Sequence, residues 1–278
     1  MDLKEELTLL RTSAGLYEPA GAGHLRSAGP DAASFLQRLV TNEVVKCPVG
    51  EGRHNALLDR KGMVLSLFYL HRLSADSFHV VTPQQLTGKT LALFRKYKVT
   101  EKLTIEEVSE NWEWVRVIGA KAEKVAVEGG FSWRDDFYKL PVWNIVCPKG
   151  ERPYLPFPTI SKTCFDLLRI ESGIPEYGTD IDETHILLEA NLSHCYKRQK
   201  GCYPGQEVIE RILAYGKGRT PRQIVTLYVE GKREISVSAY DPLQNRTLVM
   251  ATVERKELES AKGPIQIGNN ILRLLQPD

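Results

Sequence analysis

Residues 200–207, Lys-Gly-Cys-Tyr-Pro-Gly-Gln-Glu, place a thiol in a loop with two glycines and a proline, just ahead of a predicted helix. In that helix Glu207 lies in the first turn, Ile209, Ile212 and Leu213 share a face, and Gly216 ends it. A cysteine before a helix N-terminus and two residues from Lys200 sits in positive potential, which favours the thiolate. Cys202 could then hold an anion, act as a nucleophile or bind a metal; equally, it could be a small buried residue of a tight loop. A second candidate is Glu171. Cys164, Leu167, Leu168 and Glu171 fall at i, i+3, i+4 and i+7, so the carboxylate continues an apolar helical stripe. On a buried face it needs a partner. That partner is either an arginine or backbone N–H group of the protein, or a ligand's N–H donors in an internal cavity.

The elements that must position these residues follow from periodicity. Residues 15–30 read as short strands joined by turns, and Pro30 opens a helix whose face carries Ala32, Phe35, Leu36 and Leu39. Residues 53–82 read as a strand meander through turns at 59–62 and 74–76. A helix with Leu86, Thr90, Leu93, Phe94 and Tyr97 on one face follows, then strands LTIEEV and WEWVRVIG and a short helix over 120–127. The run ERPYLPFP, with three prolines in eight residues, is a crossover. The last 60 residues are short β-like runs (QIVTLYV, REISVSAY, TLVMATVE, ILRLL). The fold class is therefore α+β, with helices layered on antiparallel sheet and a small C-terminal β-domain. Three units are expected: 1–45 with 150–218, an inserted α+β domain at 46–149, and a small β-domain at 219–278.

Length and composition fit this picture. At 278 residues, 42% apolar and 26% charged, the chain suits two or three small domains with real cores. A net charge of +2 gives no global pull towards nucleic acid or anionic membrane. No stretch reaches the ~18 apolar residues of a membrane span, and the acidic N-terminus does not read as a secretory signal. Five cysteines without a C-x-x-C pair imply reduced thiols in the cytoplasm rather than a disulfide framework or zinc site. His185 and His194 lie near Cys195 and Cys202, but the spacings match no zinc pattern, so no metal is expected.

The octapeptide K-G-C-Y-x-G-Q-E resembles the signature of YgfZ-type folate-binding proteins, relatives of the glycine-cleavage T-protein, an aminomethyltransferase. RIESGIPEYGTDID is similar to that family's R-x-E-x-G-x-x-x-x-G-x-D segment, and LLEANL to its P-x-E-x-N-L segment. Residues 15–44 resemble the opening shared by both branches, and LLDRKGMVLSLFYLHRL the strand–turn–strand that follows. The matches run in family order from about residue 15 to 215. The last 60 residues match loosely, and the resemblance implies that 219–278 is a shortened form of that family's β-barrel-like domain.

The resemblance implies domains arranged around a central channel that holds tetrahydrofolate or a derivative. It implies that Glu171 pairs with the pterin N–H groups, as a carboxylate accepting two parallel hydrogen bonds. Arg222 is a further folate-site candidate, as are Asn42, Tyr177 and Arg169, each of which also has a structural reading. The motif residues Lys200, Gly201, Cys202, Tyr203, Gly205, Gln206 and Glu207 form the signature, with Cys202 as the reactive candidate. T-proteins carry an acid on the strand after the turn that here reads Arg60-Lys61-Gly62. This chain has Met63-Val64-Leu65-Ser66-Leu67-Phe68 there, which argues against aminomethyl transfer unless an acid arrives from elsewhere. The YgfZ branch implies a role with folate in assembling or repairing iron–sulfur proteins, some of which modify tRNA; the partners would be iron–sulfur clients or assembly proteins. Two alternatives are a folate-dependent one-carbon transferase or demethylase, and a tRNA-binding factor using the basic cluster Lys197, Arg198 and Lys200. Near-neutral charge speaks against direct nucleic-acid binding, and that cluster also reads as a solvated loop or a dock for an acidic group.

Overall fold

Asp2 and Glu5 begin the structure with a capping box. The Asp2 carboxylate accepts from Glu5 N at 2.8 Å while Glu5 accepts from Asp2 N at 2.8 Å, which nucleates α1 (Leu3–Thr12) where the sequence suggested only polar chain. A computed structural model describes residues 1–235, 237–260, 263–268 and 270–275. After α1 come β1 (Gly15–Tyr17), β2 (Ala22–Ala28), α2 (Ala32–Leu39), β3 (Gly52–Leu58), β4 (Val64–Arg72), β5 (Ser77–Pro83), α3 (Thr87–Tyr97) and β6 (Thr104–Glu107). Next are β7 (Trp112–Ile118), β8 (Phe131–Asp135), β9 (Val142–Pro148), α4 (Lys162–Glu171) and α5 (Gln206–Tyr215). The chain continues through β10 (Arg222–Glu230), β11 (Ser238–Asp241), β12 (Arg246–Glu254), α6 (Arg255–Ser260), β13 (Ile265–Ile267) and β14 (Asn270–Leu274). Ser236, inside the predicted run REISVSAY, lies outside the described residues.

Three antiparallel sheets result, in the orders β3-β4-β5-β2-β6, β1-β7-β9-β8 and β11-β12-β10-β14-β13. The strand pairing does not follow a boundary at residue 45. β2 pairs with β5 and β6, and β1 pairs with β7, so the first 45 residues contribute a strand to each of the two sheets otherwise built from 52–148. The C-terminal sheet draws all its strands from residue 222 onward. The helix expected at 120–127 is absent. Gly119 adopts φ +135°, where an added Cβ would lie 2.4 Å from Ser13 O, and the chain turns and runs irregularly. Ala122, Val125 and Val127 instead bury their side chains beside Leu16, Val115 and Val117.

The α2 face predicted from spacing is buried as Ala32, Phe35, Leu36 and Leu39 against β-strand residues such as Leu25, Phe78 and Val80. Helix α4 starts at Ser161, whose hydroxyl accepts from Cys164 N at 3.2 Å. The buried Glu6 carboxylate of α1 in turn accepts from Ser161 N (2.9 Å) and Ser161 Oγ (2.6 Å), fixing α1 to the start of α4.

Three histidines are buried where the first two sheets face each other. His24 Nδ1 lies 3.0 Å from His79 Nε2, His71 stacks on Phe131 at 4.0 Å, and His79 meets the Trp112 edge at 4.6 Å. Burial pushes His24 and His71 down to about 4 and His79 to about 3. Below their ordinary value near 6.5 the unfolded chain binds protons that the folded protein refuses. Stability therefore falls as pH drops from about 6.5 towards 4, by on the order of 1.4 kcal/mol per pH unit for each histidine. Urea unfolding at pH 7, 6, 5 and 4.5 should show this loss, and His71→Phe, which keeps the ring stack, should make it shallower by about one histidine's share.

Candidate functional site

A cavity of about 330 Å³ opens between the first two sheets and the loop after α4. Its size falls in the range of small-molecule sites, about 300–1,000 Å³. Aromatic rings wall it in fixed pairs. Tyr17 stacks on Phe165 at 4.1 Å, Tyr69 on Trp133 at 3.8 Å, and Phe137 on His194 at 3.9 Å. Locked flat surfaces of this kind suit a planar ligand and lose little entropy on binding. Among the described residues none from the C-terminal sheet lines it.

The R-x-E-x-G-x-x-x-x-G-x-D segment builds one wall. Arg169, buried at 4% exposure on α4, pairs with Asp180 at 2.6 Å, with Asp166 at 3.0 Å and with Glu176 at 3.6 Å. Asp180 also accepts from Glu176 N at 2.7 Å. Gly173 (φ +70°) and Gly178 (φ +87°) allow the chain to reverse between the two charges. The closed loop presents Glu176 and Tyr177 to the cavity. Tyr177 is anchored in turn, its hydroxyl donating towards Val64 O (3.2 Å) and accepting from Lys89 Nζ (3.1 Å).

Asn42 does not line the cavity but ties two segments that do. Its Nδ2 donates to His54 O at 3.0 Å and His194 O at 2.9 Å, and its backbone N–H to Asn55 Oδ1 at 2.8 Å. Thr41 Oγ1 adds a 2.5 Å bond to Cys195 O. His194 is held neutral by burial, which pushes it down to about 3.

Glu171 is placed elsewhere. It ends α4 with its carboxylate 3.5 Å from Arg246 Nη2 on β12, and it is not among the cavity-lining residues. An arginine of the protein is thus its partner. Arg222 also lies off the cavity. It donates to Glu189 Oε1 at 3.1 Å and to Thr184 O, clamping β10 to the one-turn helix Leu187–Ala190. The carboxylates that reach the cavity are Asp135 and Glu176, neither of which periodicity nominated. Asp135 arrives from β8, across from the acid-free strand β4, so only the tertiary structure reveals it.

The octapeptide packs on the turn at 59–62. Gly205 adopts φ +78° at the start of α5, where a Cβ would fall 2.5 Å from Asp59 O and 2.9 Å from the Gly62 Cα. Glycine is required there by contact as well as by conformation. Tyr203 is buried in the main core. Lys200 is buried over the Tyr203 ring at 5.2 Å, its Nζ donating to Gln37 O while Gln37 Nε2 donates to Lys200 O. Burial pushes this amine down to about 8. Arg198 is committed to Glu210 at 2.8 Å, so the predicted basic cluster is dispersed. Gly201 (φ +108°) and Cys202 are exposed, as is Glu207 in the first turn of α5, beside the half-buried Gln206. The thiol therefore faces solvent, outside the cavity. Among the described residues no cluster of three His, Cys, Asp or Glu side chains could share a metal ion, and no helix is long and apolar enough to cross a membrane.

Residues 2–129 match the GCVT N-terminal domain family. The similarity to that family covers a little under half of the chain. Its curated relatives are distant. It is 25% identical to the aminomethyltransferase of Exiguobacterium sibiricum, over 74% of this chain and 65% of that protein. It is 26% identical to that of Halalkalibacterium halodurans, over 83% and 71%. The chain thus spans about two thirds of their length. The crystal structure of the glycine cleavage system aminomethyltransferase T from Bartonella henselae shares the fold. The TM-score is 0.75 at 16% identity, over 99% of this chain and 88% of that one.

Removing the Asp180 carboxylate would leave the buried Arg169 short of its closest partner. Asp180→Ala should lower stability by about 3–5 kcal/mol in urea unfolding, whereas Asp182→Ala, at an exposed carboxylate nearby, should cost under about 1 kcal/mol.

Proposed function

We propose that this protein binds a folate, tetrahydrofolate or a derivative, in the cavity between the first two sheets. The observation that carries the reading is the cavity itself: stacked aromatic walls with a carboxylate and cations at its edge. A pterin is planar, presents adjacent N–H donors and continues into a carboxylate tail, and such a site offers a surface for each part. The similarity of residues 2–129 to the GCVT N-terminal domain family supports the same ligand class. Glu176 takes the pterin-pairing role that the motif suggested for Glu171, because Glu176 lines the cavity and Glu171 does not.

The downstream role is support of iron–sulfur proteins, as in the YgfZ branch whose octapeptide this chain resembles. The exposure of Cys202, outside the cavity on a loop braced by Gly205 and Lys200, supports a contact with a partner protein rather than with the bound folate. One observation favours a second reading, a folate-dependent one-carbon transferase. The acid absent from β4 is supplied at the cavity by Asp135 of β8.

Calorimetric titration of tetrahydrofolate tests the ligand assignment. Wild type should bind saturably, and Glu176→Gln should weaken binding by about tenfold or more, the worth of a charge-assisted hydrogen bond. Cys202→Ser should bind as wild type does. Absence of binding to the wild type would refute the assignment.

A further inference from the structure

Asn144 is completely buried on β9 and joins two charged residues of the cavity wall. Its side-chain oxygen accepts from Arg116 Nε and from Trp114 Nε1, both at 3.0 Å, and its amide nitrogen donates to Asp135 Oδ2 at 2.8 Å. The other Asp135 oxygen accepts from Trp133 Nε1 at 3.0 Å and lies 2.6 Å from His54 Nε2. His54, Asp135, Asn144 and Arg116 thus form one continuous chain of hydrogen bonds, and three of the four line the cavity.

Each end of the chain is incomplete in a way that suits a ligand. Burial alone would push the Asp135 carboxyl up, but His54, then Arg116 and Asn144, outweigh it and hold the group below its ordinary value. An ionised Asp135 accepts a hydrogen bond from His54 Nε2–H, which leaves the Nδ1 lone pair free, and Nδ1 has no hydrogen-bond partner among the described residues. The ring is held edge-on by Tyr69, Trp133, Phe137 and His194, at centroid distances of 5.1–6.4 Å. Its backbone is pinned by Asn42. At the other end, the Arg116 guanidinium lies between the Trp114 ring at 4.2 Å and the Phe165 ring at 4.8 Å. Its only hydrogen bond among the described residues runs from Nε to Asn144, and no carboxylate lies within ion-pair distance. A cation so enclosed gains most from an anion brought by a ligand.

We propose that His54, backed by Asp135, is a proton-transfer group for the molecule bound in this cavity, and that Arg116 anchors an anionic group of the same molecule. The substrate class is a carboxylate-bearing compound with a titratable nitrogen. The step is a reversible proton transfer: the Nδ1 lone pair takes the proton of the substrate's protonated nitrogen, the nitrogen keeps the bonding pair and becomes a neutral amine, and the imidazolium is stabilised by Asp135 until it returns the proton. The titratable or charged groups facing His54 are Asp135, His194 and Tyr69, with Arg116 behind Asn144, and His194 is held neutral by burial. The proposal rests on the folate reading only in that tetrahydrofolate has both a carboxylate and basic ring nitrogens.

Two measurements decide it. In the free protein, labelled-histidine NMR should find His54 as the Nε2–H tautomer, and Asp135→Asn should abolish that preference; an Nδ1–H tautomer in the wild type overturns the proposal. With tetrahydrofolate as probe, calorimetry in buffers of different ionisation enthalpy should show proton exchange on binding that is lost in His54→Gln. Affinity should fall about tenfold or more in Arg116→Gln. Unchanged proton exchange in His54→Gln, or unchanged affinity in Arg116→Gln, would overturn it. If tetrahydrofolate does not bind the wild type, the folate assignment fails by itself, and the free-protein tautomer still decides the role of His54.

Discussion

The Arg169–Asp180 ion pair is the constraint on which the cavity depends. Eleven positions separate the two residues, and their 2.6 Å contact closes the chain between them into a loop whose inner edge carries Glu176 and Tyr177. A guanidinium and a carboxylate withdrawn from water need further partners to offset their desolvation. Here Asp166, Glu176 and the Ile174 carbonyl surround the guanidinium, and the Glu176 N–H donates to the same Asp180 oxygen that meets Arg169, while the other Asp180 oxygen is buried without a partner among the described residues. The pair makes the wall rigid rather than merely attaching it. Tyr177 then carries the order across to β4 and α3 through its hydroxyl, so the helix–loop unit and the first sheet share one geometry.

Asn42 performs the corresponding task on the opposite side. A single amide satisfies backbone groups at His54 and His194, which are far apart in sequence, and so sets the distance between two rings of the cavity. The octapeptide is a third brace. Gly205 and Gly62 allow α5 to approach the β3–β4 turn at a separation that no side chain would permit. The residues most prominent in the motifs thus act mainly as supports, while the surfaces open to a ligand come from Tyr69, Trp133, Arg116 and Glu176.

This division explains what was legible from sequence. The faces of α2, α4 and α5 follow helical spacing, and the α+β class with antiparallel sheets follows from the order of strand and helix patterns. Periodicity detects burial but not what the buried atom meets. Glu171 was correctly placed on α4, yet its partner, Arg246, lies 75 residues away on a different sheet. The His54–Asp135 pair joins β3 to β8 across 81 residues, and the Asn144 junction has no local pattern at all. Lys200 looked like part of a solvated charge run, because its sequence neighbours are polar; its burial is set by Gln37 on α2. Segments 1–12 and 120–127 depart from the periodicity for local reasons: the Asp2–Glu5 capping box makes the first helical, and the left-handed Gly119 turns the chain after β7 so that the second forms no helix.

Amide hydrogen–deuterium exchange with saturating tetrahydrofolate tests the placement of the ligand most directly. The account predicts slowed exchange in peptides covering β3, β8 and the loop at 172–181, with β11 and β12 unchanged. Protection confined to the octapeptide loop or to the C-terminal sheet would contradict it.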